Sequence, residues 1–227
     1  MIVVHHLNNS RSQRVLWLLE ELGLPYEIVR YQRDPKTMLA PKEMRAIHPL
    51  GKSPIVVDGD VTVAESGAVV EYLVSRYGQG RLKPAEGTPD ALRYTYFLHY
   101  AEGSAMPPLL LKLIFIRMES APVPFFAKPV ARMLARGAQK AFVDPQLTLH
   151  LDYLENEIGK TGWFAGDAFS AADIQMSFPL EAAASRGALG ASRPNLMAFL
   201  DRIHDRPAYQ AALERGGDYD LAPSRPR

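Results

Sequence analysis

Apolar positions recur along this chain first in short runs and then, beyond about residue 80, in long helical stripes. Ile2–Leu7 predicts a short strand. Ser12–Leu22 predicts a helix with Val15, Leu16, Leu18, Leu19 and Leu22 at core spacing, ended by Gly23. Tyr26–Tyr31 alternates as a second strand, and the helical crossover between the two strands implies that they run parallel. A polar, proline-interrupted stretch with a short helix near Pro41–Ala46 follows. Pro54–Val57 and Val61–Val63 then flank Asp58-Gly59-Asp60 as a hairpin. The helix Glu65–Tyr77 turns Val69, Val70, Leu73 and Val74 inward and has Gly78 just past its end.

These elements complete a small α/β domain over residues 1–79, and residues 80–88, rich in glycine, proline and charge, read as a linker. Residues 89–227 carry no convincing strand. Pro89–Met118 is a long helical pattern with a kink or break expected at Pro107-Pro108. Ala127–Ile158 is a second one, with the turn between them at Pro122–Pro124. From Gly216 the composition predicts a frayed tail. The expected fold class is therefore an α/β domain followed by an all-α domain.

Composition narrows the function. Apolar residues at 47% and charged residues at 22% suit a soluble globular chain. Lys and Arg number 26 against 25 Asp and Glu, so no strong field attracts a polyanion and nucleic acid is not an expected partner. The first residues lack the pattern of a signal peptide and no apolar run is long enough to span a bilayer. The expectation is a cytoplasmic chain with no membrane partner. There is no cysteine, so thiol chemistry must use an imported sulfur. The six histidines never fall at a metal-ligand spacing, and no metal site is expected.

Ser10-Arg11-Ser12-Gln13-Arg14-Val15 lies where the first strand passes into the first helix, at the carboxyl edge at which open α/β sheets bind ligands. There Ser10 has two readings. Ser10-x-x-Gln13 has the form of a capping box, while the hydroxyl beside the positive end of a helix also suits an anion such as a thiolate. In His48-Pro49-Leu50-Gly51-Lys52-Ser53-Pro54, Pro54 opens a strand; a cis bond would turn Ser53's backbone outward as a recognition edge, whereas a trans proline would simply start the strand. Lys52 would suit a carboxylate ligand. Glu65-Ser66 opens a helix, either as caps or as ligand groups. The three loops converge on one edge, and their groups suit an extended zwitterionic peptide.

With these motifs and with Phe169-Ser170-Ala171-Ala172-Asp173-Ile174, the chain resembles cytosolic glutathione transferases of the serine type from Ile2 to about Leu213. The resemblance implies a thioredoxin-like first domain, a helical second domain, glutathione as co-substrate, a homodimer and a role in detoxification. It implies a cis Pro54, γ-glutamyl recognition by Glu65 and Ser66, and a Ser10 hydroxyl bonded to the glutathione sulfur. Ser12 and Asn8 are alternative partners of the sulfur, and His48, where many relatives carry asparagine, is either a loop contact or a ligand of the glycine carboxylate. In this reading His48, Lys52, Ser53, Pro54, Glu65 and Ser66 bind glutathione. A small hydrophobic electrophile meets a wall formed by Tyr100, Met106, Leu109, Leu110, Leu113 and Phe115. Peroxide reduction or isomerisation in the same site, or binding without turnover, are the competing readings. In the Phe169–Ile174 motif, Ser170 and Asp173 are expected to form a capping box and Phe169 to staple onto Ile174.

Overall fold

The computed structural model describes residues 1–222. Strands β1 (Ile2–Leu7), β2 (Tyr26–Tyr31), β3 (Ile55–Asp58) and β4 (Val61–Ala64) form one sheet in the order β2-β1-β3-β4. Helix α1 (Ser12–Leu22) carries the chain back between β1 and β2, which therefore pair in parallel with Val4 opposite Ile28. β3 lies antiparallel to β1, and β4 folds back on β3 through a turn in which Gly59 has φ +60°, a conformation that favours glycine. Helix α2 (Ser66–Tyr77) leaves the end of β4 and buries Val69, Val70, Leu73 and Val74, the positions predicted from spacing.

Beyond the linker the described chain continues as α3 (Pro89–Tyr100), α4 (Met106–Glu119), α5 (Lys128–Ala138), α6 (Asp144–Thr161), α7 (Ala171–Ser185), α8 (Pro194–His204) and α9 (Pro207–Gly216). Each of the two long helical patterns forms, and each carries one π-turn, at Ala101–Ala105 and at Gln139–Val143. Pro107 and Pro108 do not break the first one. They sit in the opening turn of α4, just past the π-turn, where an absent N–H is tolerated.

Helix α1 is buried on both sides. Val15, Leu16, Leu18 and Leu19 belong to the core, while Trp17 reaches into the helical part of the chain, edge-on to Tyr209 and against Phe169. The two halves thus share one hydrophobic cluster. Helix α7 is almost entirely buried and its start is fixed as expected: Asp173 Oδ2 accepts from the Ser170 N–H at 2.8 Å and its hydroxyl at 3.0 Å, and Oδ1 accepts from the Phe164 N–H at 2.8 Å. Burial pushes the Asp173 carboxyl up to about 6, against the pull of these donors. Phe169 packs its ring on Trp17 and Trp163, with the Arg206 guanidinium 3.7 Å from its centroid.

The tail differs from its expected frayed state. The Tyr219 hydroxyl donates to Glu181 Oε2 at 2.6 Å; the Asp220 N–H donates to Asn9 Oδ1 at 2.7 Å; Asn9 Nδ2 donates to Asp220 Oδ2 at 2.7 Å. Glycine, proline and charge in the composition concealed an anchor made by one tyrosine and one aspartate. Residues 223–227 of the expected tail lie outside the described part of the chain.

Candidate functional site

A cavity of about 310 Å³ opens beside the loop that joins β1 to α1, lined among others by Arg11, His48, Lys52, Ser53, Glu65 and Glu102. The loop before β3 supplies the first wall. The Ser53–Pro54 peptide is cis, Ser53 and Pro54 both face the cavity, and Lys52 is exposed with no ion-pair partner among the described residues. His48 is half-buried at the rim, its Nδ1 accepting from the Leu50 N–H at 3.4 Å.

The start of α2 supplies the second wall. Glu65 has φ +71°, rare for a residue with a side chain, and its exposed carboxylate makes no side-chain cap bond. Ser66 lines the cavity, but its hydroxyl is committed to the interior, accepting from Arg14 Nη2 at 3.1 Å and Gln175 Nε2 at 3.3 Å. What the helix start offers a ligand is its opening N–H groups, which have no partner within their own helix and carry the positive end of its dipole.

Ser10 is only 4% exposed and stands one layer behind this wall. Its hydroxyl lies 3.0 Å from Ser53 Oγ and 2.8 Å from Ser12 Oγ; Ser12 Oγ in turn lies 2.9 Å from His6 Nδ1. A chain of hydroxyls therefore runs from the cavity wall to a buried imidazole. Burial, together with the nearby Arg30 charge, lowers the His6 ring to about 4, against a hydrogen bond to the Gly216 backbone. The role of His6 Nδ1 follows the ring tautomer, and either serine can be the donor in the Ser10–Ser12 contact. The capping box does not form: Arg11 is the N-cap of α1 without a side-chain bond, and both polar atoms of the Gln13 side chain are buried without a partner among the described residues. Asn8 is held elsewhere, its Oδ1 accepting from the Arg33 N–H at 2.9 Å.

Sequence reading missed Arg11, Arg14 and Glu102. Glu102 belongs to the π-turn between α3 and α4 and is the helical half's contribution to the cavity wall. It accepts from Arg11 Nε at 2.7 Å and from the fully buried Arg14 Nη2 at 2.5 Å. Burial acts to raise its carboxyl, and Arg14 and Arg11 outweigh burial, so it sits below its ordinary range. Burial lowers Arg14, but Glu102 opposes that, and a guanidinium keeps its charge at neutral pH. The available signal was an acid followed by glycine inside a helical stripe, which a π-turn aims at a site. Of the residues expected to wall the adjoining electrophile site, Tyr100, Met106 and Leu109 are buried in the core, and Leu110, Leu113 and Phe115 do not line this cavity.

A mixed four-stranded sheet with a cis-proline at the start of β3, joined to an all-helical body through α1, defines a thioredoxin-like domain with a helical partner. The chain belongs to the glutathione S-transferase family: residues 1–75 match the family's N-terminal domain and residues 113–207 its C-terminal domain. Glutathione S-transferase 3 of Schizosaccharomyces pombe is 37% identical over 97% of this chain and 90% of its own length. Glutathione S-transferase 1 of Saccharomyces cerevisiae is 35% identical over 95% of each. Among solved structures, a glutathione S-transferase of Actinobacillus pleuropneumoniae aligns with a TM-score of 0.78 at 32% identity, covering 97% of this chain and 95% of that one. A sphingomonad glutathione S-transferase complexed with glutathione aligns at 0.73 and 25% identity, covering 95% and 98%.

Proposed function

We propose that the chain conjugates the thiolate of glutathione to small hydrophobic electrophiles, with glutathione as co-substrate held in the 310 Å³ cavity. The observation that carries this reading is the pairing of an unpartnered cation, Lys52, with an uncommitted carboxylate, Glu65, on either side of Ser53. Lys52 and His48 receive the glycine carboxylate. Glu65 and Glu102 receive the γ-glutamyl ammonium, and the start of α2 at Ser66 its carboxylate. The peptide's middle lies along Ser53 and Pro54, its sulfur toward the Ser53 and Ser10 hydroxyls.

A free thiol has a pKa of about 8.5 and is mostly protonated at neutral pH. A hydroxyl donated from Ser10, with the positive end of α1 behind it, favours the thiolate; the proton leaves to solvent. The sulfur lone pair then forms the bond to the electrophilic carbon, and any leaving group departs with its electron pair. Ser10 is a hydrogen-bond donor to the sulfur and never the nucleophile. Residues 1–79 act as the glutathione-binding domain and residues 89–227, beyond the linker 80–88, as the domain that carries the electrophile site; the last five residues fall outside the described chain. The enzyme works as a cytoplasmic homodimer.

Glu65→Ala tests the assignment by calorimetry. Glutathione affinity should fall at least about tenfold, the loss expected when a buried or partly buried charge pair is cut. Wild-type affinity in a folded variant would remove Glu65 from the site.

A further inference from the structure

Helix α5 and the turn before it bury only the small residues of their apolar face. The face that meets the neighbouring helix α4 is made of small residues, with Ala135 buried and Ala131 and Ala138 half-buried. Phe126, Val130, Met133 and Leu134 recur at three- and four-residue spacing alongside that face and are exposed. Phe125 and Phe126 at the tip are 83% and 71% exposed and pack only on each other among the ring contacts of the described residues. A folded chain does not ordinarily leave a contiguous aliphatic and aromatic stripe of this kind to water.

The charges beside the stripe select its occupant. Lys128, Arg132, Arg136 and Lys140 follow at intervals of four and are all exposed, and no acidic residue occurs from Ser120 to Val143. Of the four, among the described residues, only Arg136 has an ion-pair partner, Glu119 at 2.9 Å. A second copy laid on the same face would bring two such basic rows together with no acid to receive them. An apolar stripe flanked by cations on a helix too short and too charged to span is the signature of a segment that lies in the headgroup region of an anionic bilayer. The described residues contain no helix able to cross a membrane, but that bears on spanning and not on lying at the surface.

We propose that the Phe125–Phe142 segment is a docking surface for anionic phospholipid membranes, with the two phenylalanines inserted and the four cations at the headgroups. The same face would place the enzyme where apolar electrophiles accumulate. Co-sedimentation of the full chain with vesicles of equal parts phosphatidylcholine and phosphatidylglycerol, and with pure phosphatidylcholine, tests it. Binding to the anionic vesicles alone, weakened by salt, is expected. The pair Lys128→Glu and Arg132→Glu should weaken it by about tenfold or more. Phe125→Ser with Phe126→Ser should weaken it comparably while glutathione turnover in vesicle-free buffer is unchanged. Equal binding to both vesicle types, or to neither, overturns the proposal. So does a Phe125→Ser, Phe126→Ser protein that loses its partner copy in light scattering while the wild type ignores anionic vesicles, since the face then belongs to a second chain.

Discussion

Two hydroxyls separated by one residue have different tasks in this site. Ser10 borders the cavity wall through Ser53, whereas Ser12 is fully buried and ties Ser10 to His6. Ser10→Ala should raise the pKa of bound glutathione and lower turnover, with a smaller change in glutathione affinity, read from the ultraviolet thiolate absorbance of the complex. Ser12→Ala should leave part of that signal. If Ser12→Ala abolishes it and Ser10→Ala retains it, the sulfur meets the other hydroxyl. His6 carries a pH dependence whose sign is fixed by its depressed ring: the folded protein holds it neutral to about 4 while the unfolded chain takes up a proton near 6.5. Its contribution is therefore complete above 6.5 and is lost as pH falls toward 4, a loss of about 3 kcal/mol in total. His6→Asn keeps an acceptor for Ser12 but cannot titrate. Urea midpoints compared at neutral pH and near pH 4 should show a shallower decline in the variant, and an equal decline would place the acid sensitivity in other groups.

The start of α7 has a structural role that the site does not share. Asp173→Ala removes the acceptor of two buried backbone N–H groups and one hydroxyl, so the chain should lose about 2–4 kcal/mol in chemical denaturation. The Michaelis constant for glutathione should stay unchanged, because Asp173 touches no cavity residue's side chain. This box was legible in Phe169–Ile174 because both of its partners are local, three residues apart. The sheet and the helices were legible for a similar reason: Val15, Leu16, Val69 and Leu73 occupy inward positions set by periodicity alone. Glu102 was not, since it enters the site only through a π-turn and through Arg14, which lies 88 positions away in the chain. The serines show the limit of local reading. Ser10-x-x-Gln13 satisfies the pattern of a cap, yet the Ser10 hydroxyl accepts from the Ser12 N–H at 3.3 Å and engages Ser12 Oγ and Ser53 Oγ, which a local pattern does not take into account, while Gln13 takes no part.

At the scale of the whole molecule, α1 is the shared beam: its Leu and Val residues hold the sheet, Trp17 holds the helical body, and Glu21 pairs with Arg206 Nη2 at 2.8 Å. Light scattering at micromolar concentration should return twice the chain mass, and Phe125→Ser with Phe126→Ser should leave that mass unaltered. The tail completes the loop that carries Ser10, because Asp220 bonds to Asn9 from both its backbone and its side chain. Asp220→Ala should accordingly lower turnover more than it lowers the midpoint of thermal unfolding. A strictly proportional change in both would make the tail a general brace. Those two residues are 211 positions apart. At a ribosomal rate of about 5–20 residues per second, the loop that is to face the sulfur is made roughly 10–40 s before its anchor exists. During synthesis the loop is therefore without this tether until the chain has grown as far as Asp220.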